Sequence, residues 1–223
     1  MADFRTHLGV AASLGAVVAH VGWQAGLWGL AEGLPILALV TFGGILPDID
    51  ADRSKAIRLI FNLLAIPAVV AGALWLQRRL EPGPLMVACG GIYLAVRYLG
   101  GALFCRFTVH RGIWHSLLAG ALCGLITTAL GHRLFSLSDQ LAWSYGAALA
   151  VGFVIHLSLD ELYSVDLTGA RLKRSFGTAL KPFDWRQPGN SLAMLVVAAS
   201  LLPWLPPWQP LADLLAQGSA LWR

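Results

Sequence analysis

The sequence predicts an all-α fold, a polytopic membrane helical bundle with about six to seven transmembrane segments. Three observations carry this reading. Hydrophobic residues make up 57% of the 223 and charged residues 13%, about half of the roughly 25% charged residues of a soluble domain. Whole windows, such as residues 59 to 76, run with almost no polar side chain, where an amphipathic soluble helix would show a polar face. The polar residues gather in short connections between such windows. No internal repeat is visible, and the chain reads as one membrane-embedded domain over 1–223 with a polar loop at about 163–189.

The first apolar segment runs from about His7 to Leu30, with a turn expected at Glu32-Gly33. At 1.5 Å per residue it can cross a bilayer core of about 30 Å. Met1 to Thr6 carries Asp3 and one basic residue, a poor signal-peptide start; Ala16-Val-Val-Ala19 resembles a cleavage site, but the apolar run continues past it. Residues 34 to 46 form a second, short segment that spans only if tilted or if the bilayer thins. Pro47 stops or kinks it, which leaves Asp48 and Asp50 on irregular backbone before the polar connection Asp50 to Lys55.

The third segment covers about Ile57 to Leu76, and the fourth about Leu85 to Phe104 with Arg97 near its middle. A loop, Cys105 to Trp114, then carries His110 and Arg111 up to a fifth segment from His115 to about Leu130. The sixth, from about Leu141 to Leu162, holds His156 and Asp160 in its last turns. The polar stretch Tyr163 to Gly189 follows, then a seventh segment at about Leu192 to Leu205 and a tail rich in Trp and Leu that reads as interfacial. Cys89, Cys105 and Cys123 match no metal or redox spacing and read as small hydrophobes.

Counting crossings puts the N-terminus, the Pro47-Asp48-Ile49-Asp50 turn, the histidine loop and the end of the sixth segment on one side. That side holds 11 of the 16 basic residues, against four (Arg78, Arg79, Arg133, Arg223) on the other, with Arg97 inside a segment. The positive-inside bias therefore places the shared face in the cytoplasm. The net charge of +4 is spread over connections with no basic stripe or tail, so no nucleic-acid partner is expected.

Four histidines and three aspartates fall on that face: His7, His110, His115, His156, Asp48, Asp50 and Asp160. His156 and Asp160, four apart on a helix, point from one face about 6 Å apart along the axis, a spacing at which two side chains share a metal. His110 and His115 straddle Gly112, where the backbone can fold back. Each pair alone is equally consistent with solvated hydrogen-bonding groups at a helix end. Together they point to a cation, because clustered imidazoles and carboxylates at a membrane boundary repel or desolvate one another without one. Nitrogen and oxygen donors without thiolate suit zinc first, with manganese or iron as alternatives, and seven candidates suffice for one or two ions. Ser54, Arg58 and Arg111 on the same side suit an anionic phosphoryl group, or equally the lipid phosphates of the membrane surface. His20, about 20 Å along the first helix from His7, reads as a bundle hydrogen-bonding group.

The threonine-histidine near the start, the Pro-Asp-x-Asp turn, the His-Arg-Gly-x-x-His-Ser loop and the His-x-x-x-Asp helix together resemble the bacterial YdjM-like proteins. These are described as LexA-binding and associated with the inner membrane, with an inferred metal-dependent hydrolase activity. The resemblance covers about residues 5 to 183, including Thr168-Gly169 and Lys181-Pro182-Phe183. It implies a multi-pass bacterial inner-membrane protein with His7, Asp48, Asp50, His110, His115, His156 and Asp160 as ligand positions. The ligand types and the His-x-x-x-Asp spacing also look like those of zinc-dependent phospholipase C, but the order and spacing of the other ligands differ, so that likeness is one of chemistry.

The expected function is a membrane-bound hydrolase that cleaves a phosphoester of a lipid or lipid-linked substrate with water activated by the metal. Asp48, Asp50 or Asp160 takes the proton, and Arg111, with Arg58 second and Ser54 beside it, holds the phosphoryl oxygens. Membrane lipids are the expected partners. The alternatives are a metal-ion or proton transporter or channel, whose sites usually lie near the midplane between repeats, and a regulatory membrane protein with a structural metal. On the topology above, a reporter fused after Gly189 reads as cytosolic and one fused after Arg79 as external; the opposite pattern overturns it.

Overall fold

The computed structural model describes residues 3–50, 55–103, 112–166, 171–172, 177, 180–185 and 187–220. These are overwhelmingly helical: α1 (Phe4–Gln24), α2 (Leu30–Gly43), a 3-10 turn (Leu46–Asp50), α3 (Lys55–Leu76), α4 (Pro82–Leu94) continued by a π-turn (Ala95–Gly100), α5 (Leu117–Arg133), α6 (Asp139–Leu162), α7 (Pro188–Ser200), a second 3-10 turn (Leu202–Trp204) and α8 (Gln209–Ala220). Extended pairing among the described residues is confined to Val165–Asp166 against Arg171–Leu172, antiparallel. The chain divides into two compact units, residues 1–47 with 111–223, and residues 48–110.

Among the described residues, four helices are long and apolar enough to cross a membrane: Phe4–Gln24, Ile57–Leu76, Pro82–Leu103 and Asp139–Leu162. A fifth is counted if Pro188–Trp204 and Gln209–Gly218, which meet at 105°, form one broken span. This is fewer than the six to seven expected. The difference lies in α2 and α5, apolar but only 14 and 17 residues long, rising about 21 and 26 Å against a core of about 30 Å.

The first unit packs α1 against α2, α2 against α6, and α5 against α6. Asp3 starts α1: its Oδ1 accepts from the Thr6 hydroxyl at 2.6 Å and the Thr6 N–H at 2.8 Å, and these bonds hold the carboxyl below the usual range. The α1–α2 turn comes earlier than expected, at residues 25 to 29. Gly26 adopts φ +71° there, and Glu32 lies inside α2, its carboxylate accepting from the Gly29 N–H at 2.7 Å. Trp28 Nε1 donates to the Ala19 carbonyl at 3.0 Å and closes the corner.

Small residues set the helix separations. A Cβ on Gly152 would overlap the Val40 carbonyl, and one on Gly43 would overlap the Leu149 carbonyl, so α2 and α6 approach at backbone distance, as small residues allow in membrane bundles. Ile36, Val40 and Ala148 are buried at this contact. On the other face of α6, Phe153 is fully buried beneath Gly120 of α5. The chain's last segments tie back to the far ends of these helices: Trp143 Nε1 donates to the Pro207 carbonyl at 2.8 Å, and Arg133 Nη2 to the Pro203 carbonyl at 2.9 Å.

In the second unit, α3 packs on α4 and its π-turn. Tyr93 donates to Asn62 Oδ1 at 3.1 Å, and the Phe61 ring lies over Gly100. Arg97 sits in the π-turn, within the apolar span Pro82–Leu103. Its guanidinium lies 5.1 Å from the Tyr98 ring centre.

Gly152→Ala should therefore force α2 and α6 apart at a cost of about 1–3 kcal/mol, read as a lower unfolding midpoint in detergent. Gly90→Ala, with nothing within 4 Å of its Cβ, should hold or gain up to about 1 kcal/mol.

Candidate metal centre

Four helix ends of the first unit meet at one place. His7 lies in the first turns of α1, Gly44 just past α2, His115 just before α5, and His156 and Asp160 in the last two turns of α6. His115 precedes the helix, because Ser116 is the N-cap, its Oγ accepting from the Ala119 N–H at 3.3 Å. All four side chains are buried: His7 is 1% exposed, and His115, His156 and Asp160 are each 0%.

The carboxylate of Asp160 is the hub. Its Oδ1 is 3.3 Å from His7 Nε2, and its Oδ2 is 4.0 Å from both His115 Nε2 and His156 Nε2. The His7 and His156 rings stack, with centroids 3.7 Å apart and planes at 11°, and His115 meets His156 edge-on at 5.7 Å.

One hydrogen bond defines the chemistry of this group. His156 Nδ1 lies 2.8 Å from the Gly44 carbonyl, which can only accept, so Nδ1 carries a proton, and in the neutral ring Nε2 presents a lone pair on the Asp160 side. His156 Nε2 and Asp160 Oδ2, 4.0 Å apart, lie about half an ångström beyond the roughly 3.4 Å that separates two ligands of a tetrahedral ion, so a small shift of either side chain lets both reach one metal. A ring N–H given to a backbone carbonyl is also the usual support of a metal-ligating histidine. The buried Nδ1 of His7 has no hydrogen-bond partner among the described residues. His7, His156 and Asp160 offer ligand atoms all within 4.8 Å of one another, so this buried His/Asp group could hold a metal ion, and its nitrogen and oxygen donors fit zinc, manganese or iron.

The model of the YdjM inner membrane protein family matches residues 1–202. The chain belongs to that family. No curated protein and no solved structure matches it. As a YdjM-family chain it is a membrane protein of the inner-membrane type, and its apolar helices agree with that.

Of the residues singled out in the sequence, His7, His115, His156 and Asp160 come together. Asp48 is half-buried on the 3-10 turn Leu46–Asp50 that opens the second unit. Asp50 shares that turn, but its side chain, like Ser54, His110 and Arg111, lies outside the described residues. Arg58 is exposed on α3. His20 is exposed beside Trp23, rings 5.7 Å apart, and not the bundle hydrogen-bonding group expected. The Gly44 carbonyl was not foreseen; its only sequence signal was the Gly43-Gly44 pair ahead of Pro47.

His156→Ala should abolish zinc binding in the purified YdjM-family protein, by metal analysis after dialysis, and leave the helical content largely intact. His20→Ala should leave metal content unchanged. Equal zinc in wild type and His156→Ala would remove His156 from the site.

Proposed function

We propose that this protein is a membrane-bound, metal-dependent hydrolase that cleaves a phosphoester of a lipid or lipid-linked substrate, with its site on the cytoplasmic rim. The observation that supports it is the buried carboxylate of Asp160 ringed by the imidazoles of His7, His115 and His156. A divalent ion held there would supply an activated water at neutral pH and an electrophile for a phosphoryl oxygen.

The chain's own residues would do the remainder. The Gly44 carbonyl fixes the tautomer of His156, so that ring binds without a change of protonation. His7 Nε2 faces one oxygen of Asp160, and the other faces His115 Nε2 and His156 Nε2, so the carboxylate would be held in place for the ion from both sides. Arg111, four residues ahead of His115 in sequence, supplies the positive charge to hold phosphoryl oxygens. The basic stretch 163–189 favours anionic head groups that arrive by lateral diffusion in the cytoplasmic leaflet.

A second reading is a structural metal in a regulatory membrane protein. It is favoured by the near-complete burial of all four side chains, since structural sites are closed and catalytic ones keep a position open.

Protein reconstituted in bilayers and loaded with zinc should release phosphate or head group from one member of a panel of phospholipids and lipid phosphates. Turnover should vanish with a chelator and in Asp160→Asn, and fall about 100-fold in Arg111→Ala. Tight zinc without turnover supports the structural reading. Cleavage confined to peptides, or metal flux without hydrolysis, ends the phosphoesterase reading.

A further inference from the structure

The start of α5 is held by a strap from the far end of the polar stretch. The first N–H groups of a helix have no partner within it. Here the Leu117 N–H donates to the Lys181 carbonyl at 2.9 Å, the Leu118 N–H to the Pro182 carbonyl at 3.3 Å, and the Ala119 N–H to Ser116 Oγ at 3.3 Å. Two of the three acceptors come from residues more than 60 positions away in sequence.

The strap is itself fastened. Lys181 Nζ pairs with Asp184 Oδ1 at 3.4 Å, with only 16% and 6% of the side chains exposed. The Asp184 N–H donates to Ser191 Oγ on α7 at 3.2 Å, and Ser191 Oγ returns a bond to the Asp184 carbonyl at 3.2 Å. Contacts therefore run without a gap from α7 through Asp184 and Lys181 to the first turn of α5. The next residues back along the chain are Ser116 and His115, whose Nε2 faces Asp160 Oδ2.

We propose that Lys181 and Asp184 are positioning residues for His115: their ion pair folds the strap whose carbonyls fix the start of α5, and so aims the His115 ring at Asp160. In its effect on metal affinity this rests on the reading of His115 as a ligand; in its effect on the ring's position it does not.

The test compares Lys181→Met and Asp184→Asn with the conservative Lys181→Arg. Arg133→Ala serves as control, because it breaks hydrogen bonds at the opposite end of α5. In hydrogen exchange on the full-length protein in detergent, the Leu117 and Leu118 amides should lose protection in Lys181→Met and Asp184→Asn, and keep it in Lys181→Arg and Arg133→Ala. Zinc affinity should fall about 10-fold in the first two, as when support around a metal ligand is removed. The visible spectrum of the cobalt-loaded protein should change with it. Arg133→Ala should lower the unfolding midpoint and move neither affinity nor spectrum, which separates positioning from general stability. If the wild type binds neither zinc nor cobalt, the metal reading falls, and the ring nitrogen shifts of His115 decide: a change in Lys181→Met with none in Arg133→Ala supports the strap. Unchanged amide protection, or unchanged His115 shifts, in Lys181→Met and Asp184→Asn overturns it.

Discussion

The backbone approach of α2 and α6 governs the geometry of the centre. Gly152 lies against the Val40 carbonyl, and one helical turn further along each chain His156 Nδ1 meets the Gly44 carbonyl. The two helices run in the same direction, so the close contact and the hydrogen bond are successive rungs about 5.4 Å apart. Any side chain at Gly152 lengthens the second rung as it opens the first. The tautomer of His156 depends on that rung, and with it the face that the ring turns to Asp160.

The electrostatic problem at Asp160 follows from the same packing. Moving a carboxylate out of water costs several kcal/mol even after relaxation, and this one is fully buried. A protonated His7, 3.3 Å away, would offset the charge. It would also stack an imidazolium on His156 at 3.7 Å, with the lone pair of His156 still directed toward the same carboxylate. A divalent cation meets both demands at once, because every inward-facing atom of the group is then a donor to it.

The sequence displayed the chemistry better than the architecture. Histidine and aspartate at the ends of apolar runs cannot be explained by packing, and His7, His115, His156 and Asp160 were legible for that reason. Span number was less so: apolar length marks what is buried, and the runs over 34–46 and 115–130 are buried in part by neighbouring helices. The α1–α2 turn was misplaced because Glu32 looks like a loop residue but acts as a cap inside α2. The Gly44 carbonyl and the Lys181 strap were invisible, since backbone acceptors carry no side-chain signature. Lys181-Pro182-Phe183 belonged to the family pattern with no physical reason attached, and its carbonyls now give one.

The polarity of the four helix ends also bears on the sign of the occupant. Helix N-termini carry partial positive charge and C-termini partial negative charge, and the centre has two of each. The positive ends are already engaged by oxygen: Asp3 caps α1, and Ser116 with the Lys181 and Pro182 carbonyls caps α5. At the negative ends, the Gly44 carbonyl receives the His156 N–H, while Asp160 adds a full carboxylate in the last turn of its own helix, where the dipole opposes it. The field left at the convergence point is negative. An anionic group would meet repulsion there, whereas a cation would relieve the cost that burial and the α6 dipole impose on Asp160. On this argument an anionic ligand would approach the centre only once a cation is held there, its charge then outweighing the carboxylate and the two carbonyl ends.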